Sequence, residues 1–364
     1  MSAHSHDRLP AWSWLAPLAA SVFLGLQFAG VLPAESGVLI ALAALLLVAA
    51  VFASVHHAEV LAARVGEPFG SILLALAVTI IEVALILSIM LCAGESAKTL
   101  ARDTVFSAVM IVLNGVIGLA LLVGGNRHHE QSVQVQGASA ALGVLGTLAA
   151  LTLVLPNYTI SASGPVFAPA QLIFVAIVSL CLYFLFVFVQ TVRHRAYFLD
   201  DVASDNSDAP RPKKSIVIAS AIFLPLSLTA VVLIAKALSV PLDKAVDAAG
   251  LPQAVVGVII AAIVLLPEGI AAVKSAAINR IQNSVNLALG SAIASIGLTI
   301  PAVAAASFWL GTPLVLGLSS AGTVLLVLTL YISALSLVTG RTTIMQGGIH
   351  LVIFGVFLLI TAVP

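Results

Sequence analysis

The sequence predicts an all-α polytopic membrane protein with about eleven transmembrane helices, one leading helix followed by two inverted five-helix repeats. Three observations carry that prediction. Of 364 residues, 61% are hydrophobic and 8% charged, with a mean hydropathy of +1.18; a soluble domain carries about 25% charged residues. Apolar runs of about 20 residues, enough to cross a bilayer core, recur along the whole chain. Two of these runs hold one acidic residue each deep inside, Glu82 and Glu268, separated by 186 positions, close to half the chain.

The first run, 12–31, follows a short head containing Arg8 and is too long for the apolar core of a secretory signal. It reads as a first span. Ten further runs, broken by charged or Pro/Gly clusters, lie at 36–55, 69–93, 104–124, 136–155, 169–190, 216–237, 253–275, 284–307, 313–336 and 343–363. None shows the short alternation of an outer-membrane barrel. With a cytoplasmic N-terminus, the inside segments hold Arg8, Arg64, Arg127, Arg193, Arg195, Arg211, Lys213, Lys214, Lys274, Arg280 and Arg341, and the outside loops only Lys98, Arg102, Lys236 and Lys244. That asymmetry obeys the positive-inside rule. An odd helix count then places the C-terminus outside.

The longest polar stretch, residues 193–215, divides the chain. Residues 1–35 are a tail and leading helix, 36–192 a first five-helix repeat, 193–215 a cytoplasmic linker with acidic and basic clusters, and 216–364 a second five-helix repeat. Each repeat has a glutamate in its second helix, in LALAVTIIEVALILS and GVIIAAIVLLPEGIAAV. Each glutamate helix is followed by one rich in small and amide residues, FSAVMIVLNGVIGLA and NLALGSAIASIGLTIP. Five is odd, so two such sets of like fold sit upside down relative to each other. Transporters built this way hold their substrate at the midplane, where the repeats meet.

Ionisable groups inside a membrane face a bundle interior or a water cavity and mark ion or proton paths. A lone glutamate can also be protonated and silent; two at matching places in two repeats argue against that. Carboxylate, hydroxyl, amide and carbonyl oxygens suit calcium, sodium or potassium, and no soft-ligand cluster for zinc or copper is present. A carboxylate in apolar surroundings takes up a proton when no cation is near. Cation and proton therefore compete for the oxygens of Glu82 and Glu268, read as one shared cation and proton site. Pro267 removes a backbone donor and Gly269 tolerates a distorted backbone, so LLPEG reads as a carboxylate beside freed carbonyls, with a kink that ligates nothing as the alternative. Ser107, Asn114, Asn286, Ser291 and Ser295, on the two following helices, are candidate further ligands, although serines in spans often bond their own backbone.

His56, His57, Glu59 and Glu67 cluster in SVHHAEVLAARVGEPFG, at the cytoplasmic junction of the second and third spans. A gate or pH sensor and an ordinary polar loop are both open there. His128 and His129 read as solvated loop residues, Lys274 as a snorkelling interfacial cation, and Cys92 and Cys181 as buried free thiols. Asp200, Asp201, Asp205 and Asp208 crowd the linker without EF-hand spacing.

Balanced charge, 15 basic against 15 acidic residues, gives no basic patch for nucleic acid. No phosphate loop for a nucleotide and no HExxH metalloprotease pair occurs. The expected partners are therefore the lipid bilayer, inorganic cations and protons, with a homo-oligomer left open. No cofactor is expected beyond transported calcium, sodium or potassium and protons. A cation channel with a glutamate-lined pore is the alternative, although one chain with inverted halves favours alternating access.

At HHAEVLAARVGEPFGSILLALAVTIIEVALI and LLPEGIAAVKSAAINRIQNSVNLALGSAIASIGLTIPAV the chain resembles the calcium/cation antiporter superfamily. Within it, the resemblance is to the cation/proton exchanger branch and its bacterial ChaA-type proton antiporters. The resemblance implies exchange of cytoplasmic calcium, sodium or potassium for external protons across the bacterial inner membrane, with Glu82 and Glu268 as carriers. It also implies that the Asn114 and Ser291 regions supply ligands and that the first helix is an addition to a ten-helix core. One departure stands out. The branch writes its motif near Gly-Asn-Ala-Thr-Glu, whereas Val78, Thr79, Ile80 and Ile81 precede Glu82, and Val264, Leu265, Leu266 and Pro267 precede Glu268. The missing amide weakens a selective calcium site and leaves room for sodium or potassium.

Overall fold

The computed structural model describes residues 9–31, 36–66, 69–93, 98–199, 212–311 and 313–364. Among these, eleven long helices follow one another: α1 Ala11–Phe28, α2 Gly37–Val65, α3 Phe69–Ala93, α4 Leu100–His128, α5 Val135–Tyr158, α6 Pro169–Arg193, α7 Lys214–Ala248, α8 Ala254–Ala277, α9 Ile281–Leu310, α10 Ser320–Val338 and α11 Ile344–Ala362. All but α3 meet the length and hydropathy of a membrane span over their described residues, and α3 carries a shorter apolar core, Ile72–Ser88. The chain is an integral membrane protein.

Several helix ends fall elsewhere than hydropathy places them. α2 continues to Val65, so SVHHAEVLAARV is helix and His56, His57 and Glu59 do not lie in a loop. Alanine, leucine and arginine are strong helix formers and carry the backbone on past the apolar stretch. α7 likewise runs for 35 residues and takes up Lys236 and Lys244, expected in an outside loop. The tenth helix starts at Ser320, capped by its neighbour Ser319, which accepts from Gly322 N. The stretch before it is extended: Val315 bridges Val166, and Leu318 N donates to Leu153 O. Cys181, expected to be buried, is exposed on α6 beside the outward-facing Ile177 and Leu185. Glu67, the four linker aspartates and the side chain of Cys92 lie outside the described residues.

The chain forms two compact units, Met1–Gly94 with Asn206–Ala249, and Glu95–Asp205 with Gly250–Pro364. In the first, α2 packs against α1, α3 and α7. His57, fully buried on α2, joins its neighbours: Nε2 donates to Ser13 O on α1 at 3.0 Å, Nδ1 accepts from Ser220 Oγ on α7 at 3.1 Å, and the ring stacks on Phe223. Its visible role is a structural tie between three helices. His56 lies 5.2 Å from the ring of Trp12.

In the second unit, α4 and α9 are the most enclosed helices, with 72% of their apolar stretch buried against 22% for α11. They share a second feature. Each widens into a π-helical segment, Ile111–Val116 in α4 and Ser295–Thr299 in α9, as do α5 at Ala150–Val154 and α6 at Val189–Arg193. α4 and α9 run antiparallel: the C-terminal turn of α4 and the N-terminus of α9 lie at one end of the unit. At that end β1 (Gln131–Ser132) pairs antiparallel with β2 (Arg341–Thr342), Gln131 Nε2 donates to Asn279 Oδ1 at 2.9 Å, and His128, at the last turn of α4 rather than in a free loop, donates from Nε2 to Ala277 O at 3.1 Å. α11 starts there with a capping box, in which Thr343 and Gln346 join at 2.6 Å.

Candidate functional site

α4 and α8 run parallel and in close contact. A Cβ at Gly257 of α8 would fall 2.9 Å from the backbone at Asp103 and Thr104, and one at Gly269 would lie 3.1 Å from Val116. Glycine at both places lets the two helices approach. The second contact sets Glu268, one residue before Gly269, at the level of the π segment of α4.

Glu268 is half-buried and accepts a hydrogen bond from Ser291 Oγ of α9 at 2.5 Å. Its carboxylate thus sits where α8 meets the π-bearing helices α4 and α9. The expected break at Pro267 is not where the backbone opens, because α8 is helical without interruption from Ala254 to Ala277. A proline removes a single donor, and thirteen preceding residues hold the helix in register. The irregular backbone lies instead on the next helix, where Ser295 begins the π segment of α9. Such segments recur at functional sites because they loosen the regular carbonyl ladder.

Glu82, on α3 of the first unit, is 2% exposed. Of the candidate ligands, Ser291 touches Glu268. Ser107 turns onto its own helix, donating to Asp103 O at 2.5 Å. Asn286 faces the unit's end, where it donates to Phe198 O and accepts from Gln282 Nε2. Asn114, fully buried in the π segment of α4, donates from Nδ2 to Thr329 Oγ1 at 2.9 Å and accepts at Oδ1 from His350 Nδ1 at 3.0 Å. His350 was not singled out in the sequence. Its only signal there is one imidazole in the otherwise apolar run IHLVIFGVF.

Each glutamate helix is followed in the chain by one of two antiparallel π-bearing helices, an arrangement that fits a secondary ion transporter. The comparisons carry this one step further. The model of the sodium/calcium exchanger protein family matches residues 35–192 and 219–363, and the chain belongs to this family. It is 57% identical over 363 residues to y4hA of Sinorhizobium fredii, a protein assigned as an ionic transporter, covering 100% of this chain and 98% of that one. It is 36% identical over 312 residues to the sodium-potassium/proton antiporter ChaA of Escherichia coli, covering 85% and 84%. Among solved structures, native YfkE superposes with a TM-score of 0.72 at 19% identity, covering 97% of this chain and 100% of that one. The H+/Ca2+ exchanger CAX superposes with a TM-score of 0.68 at 15% identity, covering 96% and 89%. These two likenesses show the fold.

Proposed function

We propose that the protein exchanges cytoplasmic calcium, sodium or potassium for external protons by alternating access, with Glu82 and Glu268 as the groups that carry cation and proton in turn. The observation that carries this reading is Glu268 itself: a carboxylate inside a membrane helix, held by Ser291, beside two helices whose backbone ladder is opened by π segments. Facing the cytoplasm, a deprotonated glutamate takes a cation. Facing outside, protons displace the ion and neutralise the carboxylate for the return. Loaded and protonated forms both hide charge from lipid, while the empty ionised form is too costly to cross, and this couples the two fluxes.

Orientation follows from charge. Arg127, Lys274, Arg280 and Arg341 gather at the end of the second unit that carries the β1–β2 pair, and Lys98 and Arg102 lie toward the other. That supports a cytoplasmic N-terminus and an external C-terminus in a bacterial inner membrane. Relatives named for sodium, potassium and calcium define the ions to test.

The test uses everted membrane vesicles made acid inside, with a fluorescent proton probe. Adding calcium, sodium or potassium outside is expected to collapse the gradient for at least one of them; no response to any of the three, with the protein present, contradicts the reading. Ser291→Ala removes a donor to the carboxylate and lets protons compete better. It is expected to raise the half-saturating cation concentration about tenfold, since a hydrogen bond to a charged group contributes about 1.5–3 kcal/mol. The same vesicles titrated with cation measure it.

A further inference from the structure

Four polar side chains of the second unit form a hydrogen-bonded chain that the transport cycle above does not use. Thr329 on α10, Asn114 on α4, His350 on α11 and Ser336 on α10 follow one another at 2.9, 3.0 and 3.2 Å. Thr329, Asn114 and His350 are fully excluded from solvent, and Ser336 nearly so. The donors can be assigned. Asn114 Nδ2 donates to Thr329, so its Oδ1 is the acceptor and His350 Nδ1 carries the proton; Nε2 then accepts from the Ser336 hydroxyl. The arrangement is complete with a neutral imidazole, and it leaves the second lone pair of Asn114 Oδ1 unclaimed by His350.

Asn114 lies within the π segment of α4, where the side-chain direction is not set by a regular helical ladder. Its carboxamide is held from α10 and α11 instead. The backbone is shaped for this: a Cβ on Gly118, one turn along α4, would fall 2.9 Å from His350 Cβ, so only glycine lets the histidine in.

We propose that His350 is a positioning residue for cation binding, fixing the carboxamide of Asn114 so that its oxygen is presented to the cation in one orientation. This rests on the antiport reading and on Asn114 being a ligand.

Asparagine places its amide nitrogen near the position of imidazole Nδ1, and glutamine near Nε2. His350→Asn therefore keeps the donor to Asn114, whereas His350→Gln keeps the contact to Ser336 and loses that donor. Both are assayed in everted vesicles at fixed pH, with whichever of calcium, sodium or potassium gives the largest wild-type response. His350→Gln is expected to raise the half-saturating concentration about tenfold with the maximal rate within about twofold, while His350→Asn stays near wild type. In an Asn114→Ala background, His350→Gln is expected to add nothing, as a residue acting through another must. Equal effects of the two variants, additive effects with Asn114→Ala, or loss of folded protein with unchanged half-saturation in what survives would each overturn the proposal. Should neither variant fold, Thr329→Val, which removes the other tether on the same carboxamide, is expected to raise half-saturation, and an unchanged value overturns the proposal. A wild type that moves no cation defeats the antiport reading; a transporting wild type with an unaffected Asn114→Ala defeats this inference alone.

Discussion

Glu268→Gln is expected to reduce cation-driven proton release to the level of vesicles lacking the protein, while the variant still inserts and folds. Glutamine has the shape of glutamate and can still accept from Ser291 Oγ, which lies 2.5 Å from the native carboxylate. It cannot bind and release a proton, and it offers a cation only a neutral oxygen. Folding survives because removing a charge from a membrane helix lowers the cost of burying it. Glu268→Asp separates charge from reach: the charge remains but the carboxylate is withdrawn by one methylene, so transport persists with weaker apparent affinity. Glu82→Gln is expected to match Glu268→Gln. Cation titration of vesicles with matched protein content measures all three, and proton-coupled transport in Glu268→Gln at the wild-type rate would remove this glutamate from the mechanism.

The second large effect is expected from Gly347→Leu, far from either glutamate in sequence. A Cβ at this position would lie 2.5 Å from Leu122 N and 2.9 Å from Gly118 O, both backbone atoms of α4 that cannot swing aside. α11 must move off α4, and it carries with it His350, three residues along the same helix and seated against Gly118. Overpacking a close helix contact costs roughly 1–3 kcal/mol, and leucine adds far more than one methyl. Gly355→Leu on the same helix is the control, because nothing lies within 4 Å of its Cβ position. Thermal unfolding in detergent should show a lowered midpoint for Gly347→Leu and none for Gly355→Leu, with transport following the same order. Equal midpoints would mean that α11 is not held at this contact.

The helices and the two glutamates are legible in the sequence because a bilayer leaves so few options: apolar runs of spanning length, and acid in them only for a reason. Ser291 is legible as a hydroxyl one helix on from Glu268. The helix ends are less so. Hydropathy stops at His56, but the helix does not, because alanine-rich backbone continues beyond the apolar stretch, and a fully buried imidazole finds partners on α1 and α7. Pro267 drew the expected backbone irregularity to α8, whereas the structure puts π segments on α4 and α9, and also on α5 and α6. In α9, Pro301 lies two residues beyond the segment and removes the donor to the carbonyl of Gly297 inside it, whereas α4 holds no proline. His350 is the clearest case. Asn114 lies 236 positions earlier, and only the packing of α4, α10 and α11 brings the two together.

Opposite movement of cation and proton on the same carboxylates is measured in liposomes that hold the purified protein and a pH-sensitive dye. Vesicles loaded with the cation are diluted into cation-free buffer, and internal pH and cation efflux are followed together. Internal acidification that tracks efflux is expected in the wild type, with both signals absent in Glu268→Gln and Glu82→Gln. Cation efflux without acidification, or efflux undiminished in Glu268→Gln, would contradict it and point instead to a conducting pore.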